Sequence, residues 1–313
     1  MSKASIPWGT IIKVLVSLVL LIILGLVADP VRIGQALAGF SWGWLGPVLV
    51  LVAASVVVSA LKWGVLLKAQ GYAVHMARLT GAYSTALFFN NFLPSSIGGD
   101  GVRILLAGRQ GIPAADASAS VVVERTLATA SLGLLGVLAG LASSRQSPLA
   151  LGLLGLVAFF GLALTLVLVS GWLPGPVLRG KGKVSAFLRD FSAAAGKLRT
   201  EGRALLVSFG LSFVFQTLVA AVVAAVAAGM GLPFLGAADV IHVTSASSVL
   251  AMVPLGLNGY GLREGAFMYL LQPYGIDGGS AIGLSVLFAL SVSLYSLVGA
   301  WYWVASKGKL AQA

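Results

Sequence analysis

Two adjacent charged residues, Glu124 and Arg125, interrupt an apolar stretch in which three valines come before them and Leu127 comes after. A charge at the centre of a bilayer costs on the order of 2.5–3.5 kcal/mol on insertion scales, so charged residues there are usually paired and functional. A guanidinium group binds phosphate or carboxylate through a forked, charge-assisted contact. A carboxylate can accept a proton or neutralise a cation. The pair therefore indicates anion binding or proton transfer within a membrane.

Two further acid–base couples occur elsewhere in the chain. Asp100 and Arg103 are three residues apart, which places them on one face of a helix, and Arg263 is followed directly by Glu264. The arginines that we predict to bind an anionic substrate are Arg103, Arg125 and Arg263. The carboxylates that we expect to take up a proton or to form ion pairs are Asp100, Glu124 and Glu264.

Each of these side chains also has a purely structural interpretation. A long arginine side chain near a helix end can extend to the membrane surface instead of binding a ligand. A carboxylate can form a buried ion pair that fixes one segment against another without taking part in transport. The sequence leaves both interpretations open.

The composition shows that these charges lie in a membrane protein. Of the 313 residues, 58% are hydrophobic and only 9% are charged, whereas a soluble domain carries about 25% charged residues. The sequence contains several apolar runs of about 20 residues, the length that crosses a hydrocarbon core. One such run would be compatible with a signal peptide, but a series of them is not.

The composition also argues against several classes of function. There are no cysteines, and neither His75 nor His242 has a metal-binding spacing around it, so we expect no metal site and no cofactor. Both histidines are predicted to be surface or capping residues. The net charge is +11, and the basic residues responsible for it lie between the apolar runs, as in membrane loops. We therefore expect no nucleic-acid partner. No Walker motif is present, and the chain is not expected to be an enzyme.

Six apolar runs are predicted to be transmembrane helices, and tryptophans near their ends support the boundaries because indoles favour the membrane interface. The predicted spans cover residues 10–28, 44–67, 117–142, 149–170, 204–228 and 281–304. Both termini and the basic loop 171–203 then lie on one side, which the excess of lysine and arginine assigns to the cytoplasm. Lys62 is included in this cytoplasmic charge.

Two segments, 79–106 and 238–271, are too broken for a comfortable crossing, because asparagine, proline and glycine interrupt their apolar runs. Broken backbone at membrane depth is tolerated only when it is buried in protein or faces a water-filled cavity. We therefore predict two re-entrant helical hairpins. Their predicted turn residues are Pro94, Gly98, Gly99, Gly101, Pro254, Gly259 and Gly261. The amides predicted to bind substrate, or to satisfy freed backbone groups, are Asn90, Asn91 and Asn258.

The two broken segments match one another. Residues 94–103 and 254–263 share one proline, two glycines and one arginine in the same register, 160 residues apart. With three spans and one hairpin, each half crosses the membrane an odd number of times, so the second half is inserted upside down. Inverted repeats with interrupted helices in matching positions indicate a transporter with a site near the midplane. We predict one all-α polytopic membrane domain built from two inverted repeats, 1–146 and 147–313. Chance similarity in a glycine-rich chain is the alternative.

The run 88–103, together with Glu124 and Arg125, resembles the flippase-like membrane domain of the lysylphosphatidylglycerol synthases, as does the run 253–265. The likeness spans essentially the whole chain. It implies translocation of a lipid between the leaflets of a bacterial-type inner (plasma) membrane. The chain ends ten residues after Trp303, so we expect no aminoacyltransferase domain and no lipid synthesis.

These observations predict a flippase or scramblase for an anionic phospholipid or a polyprenyl-phosphate lipid. A secondary transporter of a small soluble anion would use the same architecture, and a cavity closed to lipid would favour it. A non-transporting membrane partner of lipid or glycan biosynthesis is the third interpretation, with hairpins packed shut. The expected partner is a membrane lipid substrate. The sequence leaves the identity of the lipid, the direction, the energy coupling and the oligomeric state open.

Overall fold

All regular secondary structure in the described part of the chain is helical, as predicted. The computed structural model describes residues 30–92, 97–171, 182–233, 235–253 and 259–310. The helices of the first part are α1 (Pro30–Ala38), α2 (Leu45–Ala69), α3 (Met76–Phe92), α4 (Ile97–Gly108) and α5 (Ala114–Ala142). Those of the second part are α6 (Pro148–Val169), α7 (Lys183–Lys197), α8 (Gly202–Gly229), α9 (Ala237–Ala251), α10 (Leu262–Leu271) and α11 (Gly278–Leu310).

Five helical segments within the described ranges are long and apolar enough to cross a membrane. They are Trp42–Ala69, Ala114–Ala142, Pro148–Val169, Gly202–Gly229 and Gly278–Ala305. These segments coincide with five of the six predicted spans, and the predicted span 10–28 lies outside the described residues. The chain is therefore a multi-pass membrane protein.

The two segments predicted to be hairpins each contain a pair of short helices. Helix α3 packs against α4, and α9 packs against α10. The longest of the four, α3, has 17 residues and measures about 26 Å at 1.5 Å per residue. That is less than the roughly 30 Å of a hydrocarbon core. Residues 93–96 and 254–258, which include Pro94 and Pro254, lie outside the described residues.

The glycines of the two segments have different local roles. The first turns of α4 contain Gly98, Gly99 and Gly101. A Cβ on Gly99 would come within 2.6 Å of the Ala86 carbonyl oxygen of α3, so this glycine permits close approach of the two helices. Gly259 and Gly261 instead have φ values of 76° and 88°, a left-handed backbone that favours glycine.

Each pair of short helices packs against a long helix from the other half of the sequence. Helix α3 contacts α11, α9 contacts α5, and α2 contacts α8. The contact of α3 with α11 is close at Gly299, where a Cβ would lie 2.6 Å from the Thr85 backbone nitrogen. The Thr85 hydroxyl also donates to the Gly299 carbonyl oxygen at 3.2 Å. The two halves are thus interlocked through their short helices.

His242 is buried in the contact of α9 with α5, so its prediction as a surface or capping residue is wrong. It is 1% exposed, and its Nδ1 lies 3.0 Å from the Gly136 carbonyl oxygen. One turn further along α5, a Cβ on Gly140 would come within 2.6 Å of the His242 ring. The missing side chain at Gly140 therefore makes room for the imidazole, and the Gly136 carbonyl group supplies its polar partner.

A buried carboxylate, Asp239, fixes the start of α9 to the connection between α5 and α6. It accepts hydrogen bonds from the Ser143 hydroxyl at 2.6 Å, the Ser144 backbone nitrogen at 3.0 Å and the Tyr274 hydroxyl at 2.9 Å. Burial by itself raises the pKa of the Asp239 carboxyl, but the hydrogen bonds outweigh it and leave the pKa below its usual value. Asp239 therefore stays ionised and keeps its three partners.

We expect the contribution of Asp239 to stability to disappear in acid. Because its pKa is lower in the folded chain than in the unfolded chain, where it is about 3.9, the stabilisation is fully present above the unfolded pKa. It is lost as the pH falls through the folded pKa. Thermal unfolding of the purified protein in detergent, from neutral pH down to about pH 3, measures this loss. Asp239→Asn should unfold at a lower temperature than the natural chain near neutral pH, and its unfolding temperature should fall less in acid. Equal acid sensitivity of the two chains would contradict this role.

Candidate functional site

A cavity of about 410 Å³ lies between helices from both halves of the sequence. Its volume falls within the range of about 300–1,000 Å³ that is typical of ligand pockets. The charged residues in its lining are Lys62 of α2, Asp100 and Arg103 of α4, and Glu124 and Arg125 of α5. The apolar residues contributed by α8, the C-terminal end of α9 and α11 are Phe215, Val219, Val222, Met252 and Val292. The five charged residues form the charged wall of the cavity, and these five apolar residues form its apolar wall.

Glu124 connects three side chains at the charged wall. Its Oε1 lies 2.9 Å from Lys62 Nζ, and its Oε2 lies 2.9 Å from Arg103 Nη1. The Tyr83 hydroxyl donates a short hydrogen bond to Oε2. Glu124 is 3% exposed and lies about 15 Å along α5 from its first residue. Two cations and a phenol therefore compensate a carboxylate that is deep within a membrane-spanning helix.

Lys62 is buried at this wall, so its prediction as a cytoplasmic loop charge is wrong. Its ammonium group binds Glu124 and lies 4.5 Å from the ring centroid of Phe215 on α8. Lys62 comes seven residues before the end of α2, inside the apolar span. A lysine within the predicted span 44–67 is the sequence signal for such a site, because an intramembrane charge normally has a partner.

Arg103 is held between two carboxylates and two aromatic rings. Its Nη2 lies 2.5 Å from Asp100 Oδ1, so the predicted pairing across one helical turn is present. Its Nη1 binds Glu124, and the guanidinium carbon lies 4.2 Å from the ring centroid of Tyr83 and 5.3 Å from that of Trp63. Aromatic faces attract a guanidinium group through the ring quadrupole. These contacts fix the orientation of the buried Arg103.

Arg125 and Asp100 form the accessible part of the charged wall. The Arg125 side chain is 40% exposed and that of Asp100 is 13% exposed. Arg125 Nε binds Asp100 Oδ2, so Asp100 bridges Arg103 and Arg125 with its two oxygens. Asn90 lines the same cavity, and its side-chain oxygen accepts a hydrogen bond from the Gly99 backbone nitrogen at 2.9 Å.

Arg263 and Glu264 form a separate cluster at the start of α10, and neither residue lines this cavity. Glu264 Oε2 accepts a hydrogen bond from the Gly261 backbone nitrogen at 2.6 Å. Its Oε1 accepts one from the Ser285 hydroxyl at 2.8 Å and lies 3.2 Å from Arg263 Nη2. Glu264 thus caps the N-terminus of α10 and ties it to α11.

The structure therefore brings together four of the six predicted charged residues and separates the other two. The structure also places Lys62 and Tyr83 in the cluster around Glu124. No sequence pattern distinguishes Tyr83 from the other aromatic residues of its segment. The Asn91 side chain and residue Asn258 lie outside the described residues. Within the described ranges, no group of three or more histidine or acidic side chains is placed to hold a metal ion.

Residues 10–299 match the family model described as "Lysylphosphatidylglycerol synthase TM region". The match spans all five membrane-spanning segments up to Gly299, both pairs of short helices and every residue of the charged wall. Neither a protein with curated annotation nor a solved structure matches the chain.

We expect Glu124 to contribute more to stability than Arg125. Glu124→Gln leaves Lys62 and Arg103 buried without their shared carboxylate, and breaking such a pair typically costs about 3–5 kcal/mol. Arg125→Gln removes a partly exposed cation from Asp100, which keeps Arg103, and should cost no more than about 1 kcal/mol. Denaturant unfolding in detergent micelles compares the two variants. A similar loss of unfolding free energy in both variants would show that Glu124 does not hold the residues of the charged wall together.

Proposed function

Because the chain belongs to the family of the lysylphosphatidylglycerol synthase transmembrane region, we propose that it moves an anionic lipid between the leaflets of its membrane. The substrate is an anionic phospholipid or a polyprenyl-phosphate lipid. Family membership supports a role with membrane lipids, and the observation that carries the proposal is the cavity with one charged and one apolar wall.

The charge of the cavity favours an anionic head group. Three cations, Lys62, Arg103 and Arg125, face two carboxylates, Asp100 and Glu124, which leaves a net charge of +1 when all five are ionised. In a low-dielectric surrounding this excess attracts an anion strongly. The arginine fork is suited to the oxygens of a phosphate ester. Arg125 is the cation of this wall that a head group reaches first, since its side chain is the most exposed of the three.

The apolar wall favours an amphiphilic substrate. Phe215, Val219 and Met252 line the cavity together with the charged side chains, and the Phe215 ring contacts the Lys62 ammonium group. A fully hydrated ion loses its water against such a surface without receiving hydrogen bonds in return, whereas the glycerol and first methylenes of a lipid gain from the contact. A head group held at the charged wall with its chains towards the bilayer fits both surfaces.

We further propose that the short helices form re-entrant hairpins within an inverted repeat. The reciprocal packing supports this, because α3 lies on α11 while α9 lies on α5. The pairs α2 with α8 and α5 with α11 then correspond, and glycines at 136 and 299 receive the opposite hairpins. Residues 10–28 would supply the sixth crossing. Both termini and the basic segment that contains α7 would then face the cytoplasm of a bacterial-type inner membrane.

The energy for translocation comes from protons or from the substrate gradient in this proposal, since the sequence holds no Walker motif. Of the three predicted proton carriers, Asp100 and Glu124 each bind two cations, and Glu264 caps α10. Asp100 is the carboxylate that is both partly exposed and in the cavity. Asp100 is therefore the most accessible of the three from the cavity.

A transporter of a small soluble anion is the second candidate. The cavity volume of about 410 Å³ favours it, because this is near the lower end of ligand pockets and smaller than a whole lipid requires. Uptake of labelled glycerol 3-phosphate into proteoliposomes, without exchange of labelled lipid, would establish this candidate instead.

We expect the reconstituted protein to accelerate the exchange of head-group-labelled phosphatidylglycerol between the leaflets of liposomes. Arg125→Gln should reduce the rate about tenfold or more, since a charge-assisted contact contributes about 1.5–3 kcal/mol. Arg103→Ala should abolish exchange while the chain still inserts into the membrane. Lys68→Gln is the matched control, because it removes a cation from the exposed end of α2. Normal exchange by both arginine variants would reject their role in holding the anion.

The hairpin proposal makes a separate prediction for single-cysteine variants, which are easily read because the chain has no cysteine. Ala73 and Ala114 are exposed residues on either side of the first pair of short helices. Cysteines at both positions should react with an impermeant maleimide from the cytoplasmic side, because a re-entrant hairpin returns to the side it left. Gln146→Cys, in the exposed connection after α5, should react from the opposite side. Labelling of positions 73 and 114 from opposite sides would show that the segment crosses the membrane.

A further inference from the structure

The charge of Arg103 is compensated without Asp100. Arg103 already binds Glu124, which is buried and also carries Lys62 and Tyr83. Asp100 is a second carboxylate on the same guanidinium group, and its other oxygen binds Arg125. It is more exposed than Glu124, lines the cavity and lies in the first turn of α4.

We propose that the Asp100 carboxylate is an internal competitor of the substrate, occupying the position of two phosphate oxygens between Arg103 and Arg125. This inference rests on the proposed function and adds the residue with which the phosphate head group competes. A phosphate ester presents two anionic oxygens on one atom, as a carboxylate does, and can contact both guanidinium groups together. A neutral head group offers no such replacement.

The charge balance changes when Asp100 is displaced. With Asp100 bound, the wall carries three cations and two carboxylates, a net charge of +1. Once Asp100 leaves the arginines, the remaining group of Lys62, Arg103, Arg125 and Glu124 carries three cations and one carboxylate, a net charge of +2. A phosphate diester, with one negative charge, then restores the net charge of +1, and a doubly charged phosphate monoester lowers it to 0. Glu124 remains the fixed counter-charge throughout, because Lys62 and Tyr83 bind it without contacting Asp100.

The competition also explains how a tightly held phosphate is released. Two arginines in a low-dielectric cavity bind an anion strongly, and strong binding slows departure. The return of Asp100 to Arg103 and Arg125 replaces the departing phosphate without leaving two cations exposed to the apolar wall. Asp100 therefore weakens binding and speeds turnover.

Equilibrium binding to the detergent-solubilised full chain tests the competition. The probes are dihexanoyl-phosphatidylglycerol, glycerol 3-phosphate and inorganic phosphate. Asp100→Asn keeps the shape of the side chain but removes its charge, and should bind the short-chain lipid about tenfold more tightly than the natural chain. Asp116→Asn is the control, because Asp116 pairs with the exposed Lys197 and does not line the cavity. Its affinity should equal that of the natural chain.

Proteoliposome kinetics provide a readout that a merely structural role would not change. Asp100→Asn should lower both KM and the maximal exchange rate, since the head group binds more tightly and leaves more slowly.

Unchanged or weaker lipid binding by a folded Asp100→Asn chain, checked by thermal unfolding, would overturn the competitor role while leaving the proposed function intact. If no probe binds to any variant, the anionic substrate and the proposed function both fail. If glycerol 3-phosphate binds as tightly as the short-chain lipid, Asp100 keeps its role but the substrate is a soluble anion.

Discussion

The charged wall depends on the requirement that a carboxylate within a membrane-spanning helix be compensated by partners. Glu124 of α5 receives Lys62 from α2, Tyr83 from α3 and Arg103 from α4. One side chain thus joins four consecutive helices at a single point. The net contribution of a buried ion pair to stability is often small, but the removal of one member is costly because the others stay buried. The positions of these helices are therefore coupled to the chemistry of the cavity.

The corresponding region of the second half uses similar residues for a different purpose. Arg263, Glu264 and Ser285 form a local network that caps α10 and ties it to α11. The cavity-facing residues of that half are mainly apolar. In the proposed inverted repeat, the two halves would therefore share an architecture but differ in their side chains at the cavity. The first half supplies the charged side chains, and the second supplies mainly apolar ones.

Hydropathy and spacing predicted the parts of the molecule that local sequence determines. The five described spans and the pairing of Asp100 with Arg103 follow from apolar runs and from the three-residue spacing on a helix. The partners of Glu124 could not be predicted in the same way, because Lys62 is distant in sequence and meets it only through helix packing. The burial of His242 likewise depends on Gly140 of another helix. Contacts between segments require knowledge of which faces meet, and a single sequence does not specify those faces.

The burial of Lys62 has a consequence for the order of assembly during synthesis. Helix α2 is completed before α5, which carries Glu124, has been made. A lysine seven residues from the helix end can extend its ammonium group to the interface in the meantime. The emergence of α5 then provides the carboxylate that draws the lysine inward, and the later helix α8 adds Phe215 beside the ammonium group. Helix α2 can therefore insert early but reaches its final packing only when a later helix joins it.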